Sequence, residues 1–235
     1  VHPREVIETN IMGTLNVLEA ARLTKPARII HTSTSEVYGT AKVVPISETH
    51  PLQGQSPYSA SKIGADKIVE SYSRSYDLPV VTIRPFNTYG PRQSTRAVIP
   101  TIITQALTKN TIKLGELSST RDFTYVGDTV RGFLCAAESN NVLGREINLG
   151  NKQEISIGDL ANKVIQLIGR EVAIDCENDR LRPSNSEVFR LHADNTLARQ
   201  LMGWQPQVSL GEGLNRTIDW IKGHLESYRI GAYQI

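Results

Sequence analysis

Ala27-Arg28-Ile29-Ile30-His31-Thr32-Ser33-Thr34 is a short apolar run that ends in a polar tip. Its pattern predicts a strand over 27–32. In parallel α/β sheets ligands gather beyond the carboxyl ends of strands, so Thr34, Ser35 and Glu36 stand where chemistry is expected. A second, β-branched run from Leu78 to Arg84 lies between a turn at Asp77 and Pro85. It predicts a buried parallel strand.

Between the two runs stands Tyr58-Ser59-Ala60-Ser61-Lys62, on a helix predicted from Tyr58 to about Tyr76 after Pro57. Residues i and i+4 share a helix face, so the Lys62 ammonium is expected near the Tyr58 phenol, favouring its ionised form. An unperturbed phenol has a pKa of about 10. Work near neutrality asks for a fall of roughly 3 units, about 4 kcal/mol, supplied by this cation together with a positively charged nicotinamide. Taken alone, the pair also reads as an ordinary amphipathic pair on an exposed helix. Its setting decides.

With Thr34 placed 24 residues before Tyr58, the chain resembles the extended short-chain dehydrogenase/reductase family. Further strings extend the resemblance over essentially the whole chain: Arg84-Pro85-Phe86-Asn87-Thr88-Tyr89-Gly90-Pro91, Thr120-Arg121-Asp122-Phe123-Thr124-Tyr125-Val126-Gly127-Asp128, and Leu201-Met202-Gly203-Trp204-Gln205-Pro206. The resemblance implies a Rossmann-like, doubly wound parallel sheet with a smaller α/β substrate-binding domain. Residues 1–95 and about 124–150 would belong to the first, and about 96–123 and 151–235 to the second. It also implies a homodimer through helices 4–23 and 58–76.

Family members open with a strand, a Gly-rich turn and a helix whose N-terminus holds the cofactor pyrophosphate. No GxxGxxG occurs among the 235 residues, and the sequence starts at Val1 without Met. Either a first βαβ part is missing or no dinucleotide is bound. The downstream strings favour truncation, with weak or no NAD binding by the chain as written.

Composition bounds the alternatives. With 39% hydrophobic and 21% charged residues, the chain can bury a substantial core. A net charge of +2, without a dense basic run, speaks against nucleic acid. No stretch is long and apolar enough to suggest a membrane span. Cys135 and Cys176 lack disulfide-framework and metal spacing, so a reducing, cytoplasmic setting is expected and no metal site is predicted.

Further helices are predicted at 3–23, 99–109, 156–168, 195–202 and 210–225, with another capped by Asp128 and reaching Ser139. Short strands are predicted at 124–126, 146–150 and 171–176, and a polar loop at Arg182-Pro183. Asn10 falls inside the first helix, either as a polar bridge to the next strand tip or as an exposed side chain.

The resemblance assigns roles residue by residue. Thr34 would hydrogen-bond the substrate oxygen undergoing oxidation, while Tyr58 and Lys62 would carry the proton transfer and, with Pro85 and Thr88, contact NAD. Asn87, Val98, Leu114, Arg121 and Arg182 would contact a nucleotide-sugar, the arginines gripping phosphate with their planar fork. Each arginine also suits a surface ion pair.

Glu36 discriminates among reactions. Simple 4-epimerases of the family usually carry a small or apolar residue here, whereas 4,6-dehydratases use a glutamate to remove the C5 proton. Thr-Ser-Glu resembles the GDP-mannose dehydratases and their relatives, with Ser35 where dTDP-glucose dehydratases usually carry Asp. The acid for the leaving hydroxyl is then protonated Glu36 or a water held by Ser35. The overall wording is most similar to N-acetylglucosamine 4,6-dehydratases of legionaminic acid synthesis, with UDP or GDP left open. UDP-glucuronate decarboxylase, a 4-epimerase and a non-catalytic dinucleotide sensor are the competing readings.

Overall fold

A computed structural model describes residues 2–177 and 186–228. The chain enters on α1 (Pro3–Ile7), passes through one π turn (Glu8–Met12) and continues as α2 (Gly13–Thr24). The predicted helix is therefore present but interrupted, because the π turn takes an extra residue into its ring. It leads to β1 (Ile29–Thr32), whose polar tip winds into a 3₁₀ turn, Ser35–Tyr38. Gly39 ends that turn at φ 62°, where a Cβ would stand 2.6 Å from Gln55 Oε1. A side chain there would meet both strain and a clash.

The long helix α3 (Pro57–Tyr76) begins with two reinforcing devices. Pro57 supplies a preset φ at the first position, and Ser56 forms a reciprocal cap with Ser59. Next come β2 (Val80–Pro85), β3 (Thr88–Tyr89), α4 (Val98–Thr108), β4 (Thr111–Leu114), β5 (Thr120–Asp122) and β6 (Thr124–Tyr125). Then follow α5 (Val126–Glu138), β7 (Glu146–Leu149), β8 (Glu154–Ser156), α6 (Ile157–Ile168), β9 (Ala173–Cys176), α7 (Thr196–Met202) and α8 (Leu210–Gly223).

The main sheet has the order β1-β2-β7, all parallel, with Ile29 opposite Val80 and Thr82 opposite Glu146. Its strands are near-continuous apolar runs because helices cover both faces. Val81, Ile83, Ile147 and Leu149 form one core with Trp204, while Leu18, Val69 and Val80 form another beneath α2 and α3. The largest core gathers Ile99, Ile102 and Ile103 with Ile112, Leu160, Val164, Leu214 and Ile218.

Four short strands went unforeseen. β3 pairs with β6 and β4 with β9 in parallel, and β5 with β8 antiparallel. These pairs, of two to four residues, offer too little alternation to announce themselves. Asp128 is also not a cap: it sits inside the first turn of α5, behind Tyr125. Its buried carboxylate instead accepts from Gln207 N at 3.0 Å and Val208 N at 2.9 Å. It thus ties the turn to the segment before α8.

Candidate active site

The site forms where β1 and α3 meet. Thr34 caps the 3₁₀ turn by accepting from Glu36 N at 3.2 Å, which lifts Glu36 out of the strand line. Ser35, 2% exposed, is packed into the protein, whereas Tyr58 at the start of α3 is 42% exposed. The Thr34 side chain is close enough to the Tyr58 phenol to favour its ionised form, and the Glu36 charge acts on the same phenol. Three of the predicted catalytic side chains therefore converge.

Lys62 departs from expectation. Its ammonium donates to the Thr32 carbonyl at 2.6 Å, one turn of helix along from Tyr58. The phenol is not lowered: burial pushes it above its ordinary value, the Thr34 side chain offsets part of that, and the Glu36 charge pushes it further up. Burial likewise lowers Lys62, with the negative charge of Asp66 pulling it back. Burial, with the Glu36 charge beside it, keeps Tyr58 a neutral phenol in the protein by itself.

Asn10 is a bridge, though to a helix and not to a strand tip. Its amide donates to Ser61 Oγ at 2.9 Å, and Ser61 Oγ donates to the Tyr58 carbonyl at 2.7 Å. Below the site lies a polar network that the motifs did not announce. Asp66 receives His31 Nε2 at 2.9 Å, Ser33 Oγ at 2.8 Å and Arg84 Nη2 at 3.1 Å. Only the Lys62-to-Asp66 spacing of one helical turn hinted at it.

The other candidate binding residues are spread wider. Pro85 ends β2, and Thr88 Oγ1 lies 3.0 Å from Thr129 Oγ1. Asn87 follows, its buried Oδ1 lacking a hydrogen-bond partner among the described residues. Such an atom favours a donor from outside the chain. Val98 opens α4 and packs against the large core. Leu114 is spent on that core at 4% exposure, leaving its backbone carbonyl to accept from Glu177 N at 2.8 Å. Arg121 is paired with Glu187, Nη2 to Oε1 at 3.2 Å, and donates to the Thr120 carbonyl at 3.0 Å. Arg182 lies outside the described residues.

A parallel sheet with Thr34 just beyond the carboxyl end of β1, and Tyr58 and Lys62 on the helix that follows, defines an α/β protein of the short-chain dehydrogenase/reductase type. The family model described as GDP-mannose 4,6 dehydratase matches residues 1–217, and the chain belongs to that family.

UDP-glucose 4-epimerase of Mycolicibacterium smegmatis is 35% identical over 218 residues, 91% of this chain and 68% of that protein. The structure of Pal from Bacillus thuringiensis shares 37% identity at a TM-score of 0.87, covering 95% of this chain and 71% of that one. dTDP-glucose 4,6-dehydratase from Bacillus anthracis, solved in complex with NAD, shares 27% identity at a TM-score of 0.85, covering 95% and 70%. Relatives include 4,6-dehydratases, 4-epimerases and decarboxylases of nucleotide-sugars, and the family is NAD-dependent. The fold is thereby established as the Rossmann type. Among the described residues, no helix is long and apolar enough to cross a membrane.

The residues present fit one end of that cofactor. The partly exposed Tyr58 phenol and the Lys62 ammonium held at the end of β1 are donors suited to a ribose and its ring, and Pro85 ends the neighbouring strand β2. The sequence holds no GxxGxxG turn for the pyrophosphate.

Proposed function

We propose that this chain carries the catalytic residues of a nucleotide-sugar 4,6-dehydratase. The observation behind this reading is the placement of the Glu36 carboxylate in electrostatic reach of Tyr58, with Thr34 also beside the same phenol. A carboxylate there suits removal of a second, carbon-bound proton after an alcohol has been oxidised, a step that simple epimerisation lacks.

Thr34 holds the C4 hydroxyl and Tyr58 takes its proton. Glu36 then removes the C5 proton, made acidic by the adjacent ketone, and hydroxide leaves from C6 as water. The proton for that departure comes from protonated Glu36 or from a water, since Ser35 is buried. NAD, held by Tyr58, Lys62, Pro85 and Thr88, would accept the hydride from C4 and give it back at C6, and a proton returned to C5 completes the saturated product. Asn87 and Arg121 would hold the sugar diphosphate, with Arg121 exchanging Glu187 for phosphate.

The substrate class is UDP- or GDP-N-acetylglucosamine, and the product a 4-keto-6-deoxy sugar. We assign 1–95 with about 124–150 to the cofactor part, and about 96–123 with 151–235 to the sugar part. Within the latter span, Val188, Leu191, Ala193, Ala198 and Trp204 pack back among residues of the former. Exposed Ile7, Met12 and Val17 support a homodimer through α1, α2 and α3.

A product assay of the full-length enzyme with both nucleotide-sugars and UDP-glucuronate tests the reading. Loss of water is expected. Loss of carbon dioxide would indicate a decarboxylase, a change of C4 configuration alone an epimerase, and three unchanged sugars would sink the assignment.

A further inference from the structure

His31, Thr32 and Ser33 are consecutive on β1, and each is tied to α3. The Thr32 carbonyl receives the Lys62 ammonium at 2.6 Å, while His31 and Ser33 both reach Asp66 one turn further along, at 2.9 and 2.8 Å. Because alternate strand residues point to the same face, one carboxylate can hold both flanking side chains while the intervening residue contributes its backbone. Thr34 comes next, and Tyr58 lies one turn before Lys62 on the same helix face.

We propose that Asp66 is a positioning residue of the active site: its buried carboxylate fixes the β1 tip against α3, setting Thr34 opposite Tyr58, and stands one helical turn beyond Lys62 as its counter-charge.

Asp66 is 4% exposed, as a fixed counter-charge must be if solvent is not to screen it. Burial alone would push its carboxyl up, but the His31 bond, the Arg84 charge and the Ser33 bond outweigh that and leave it below its ordinary value. It therefore stays ionised at neutral pH. Lys62 faces the opposite pressure: burial lowers it and Asp66 is the charge that raises it.

The charged and titratable groups around Asp66 come from every neighbouring element. His31 stands on β1, Arg84 on β2, Tyr38 on the 3₁₀ turn and Lys62 on α3 itself. Glu146 of β7 acts on Arg84, and Glu48 on Tyr38. Arg84 Nη1 donates to Tyr38 OH at 3.1 Å, and Tyr38 OH donates to Asn148 Oδ1 at 2.8 Å. The carboxylate is thus anchored to all three strands of the main sheet.

This inference rests on the reading of Tyr58 and Lys62 as the proton-transfer pair, yet its test need not. The full chain is labelled with ¹³Cε-lysine, the Lys62 signal is assigned with Lys62→Arg, and its titration is followed by NMR. In Asp66→Asn the Lys62 midpoint should move to lower pH, and Asp66→Glu should restore it. Asp66→Asn/Arg84→Gln removes both buried charges together, so it serves where the single variant does not fold, and it should shift Lys62 the same way.

In the unmutated chain the Lys62 signal should also move at acid pH in step with the Asp66 carboxyl carbon, a check that needs no variant. A Lys62 midpoint unchanged in a folded variant, or a Lys62 signal indifferent to Asp66 protonation, would overturn the proposal. Where turnover is measurable, Asp66→Asn should lower kcat by about tenfold or more with KM little changed. A shifted Lys62 without dehydratase turnover would reject the reaction while leaving Asp66 in its role.

Discussion

Asn10 and Ser61 are joined by a 2.9 Å hydrogen bond from the Asn10 amide, and Ser61 passes the link to the Tyr58 carbonyl at 2.7 Å. The π turn that interrupts the first helix therefore holds the first turn of α3. Asn10→Ala should cost about 1 kcal/mol of stability, the usual worth of one net hydrogen bond, measured by urea unfolding. A variant as stable as the parent would show that the bridge contributes nothing.

The neutral state of Tyr58 has a kinetic consequence. Its phenol stands above the ordinary value chiefly through burial, so the reactive phenolate is scarce at neutral pH and becomes more populated as pH rises. For the free enzyme kcat/KM should climb into the alkaline range, and Tyr58→Phe should remove at least about a hundredfold of turnover while sparing nucleotide-sugar binding by calorimetry. A flat pH profile, or full activity in the Phe variant, would contradict the proton-transfer role.

Glu36→Gln should separate the two proton removals. Oxidation at C4 relies on Thr34 and Tyr58 and should continue, whereas exchange of the C5 hydrogen with deuterated water should fall by about a hundredfold or more. NMR of the recovered sugar measures both. Undiminished C5 exchange would move the base elsewhere.

Asp122 makes a stability test with a definite sign. It is fully buried and accepts from Asn151 N at 2.7 Å and Ala193 N at 3.1 Å, yet burial pushes its carboxyl up to about 6. Since the folded value lies above the unfolded value of 3.8, the native state binds the proton more tightly. Its contribution is therefore complete below pH 3.8 and is lost as pH rises through about 6. Asp122→Asn should flatten that part of the stability curve, followed by chemical denaturation at several pH values.

Arg121 and Glu187 offer a test of phosphate capture. If phosphate displaces the Glu187 carboxylate, Glu187→Gln should tighten nucleoside diphosphate binding and Arg121→Ala should weaken it, both read by calorimetry. Equal affinities in the three proteins would leave the pair as an ordinary buried ion pair.

The parallel α/β frame was legible in the sequence because its signals are local. Leu78 to Arg84 is an uninterrupted β-branched run, and the helix from Tyr58 follows a proline and a serine cap. Thr34, Ser35, Glu36, Tyr58 and Lys62 were singled out by spacing together with resemblance to a known family, within a segment short enough for one strand and one helix to relate them. What escaped depended on pairing across the chain. β5 reveals itself as a strand only through β8, and Arg121 meets a glutamate that lies 66 residues away.

The sequence by itself determined the family and the parallel α/β frame, since residue type and short spacing set which groups can share a helix face or a strand tip. Tertiary structure alone decided their electrical state. Burial and distant partners left Tyr58 neutral, turned Lys62 toward a carbonyl and gathered His31, Ser33 and Arg84 around Asp66. Desolvation and charge act through distance in space, which sequence separation does not report.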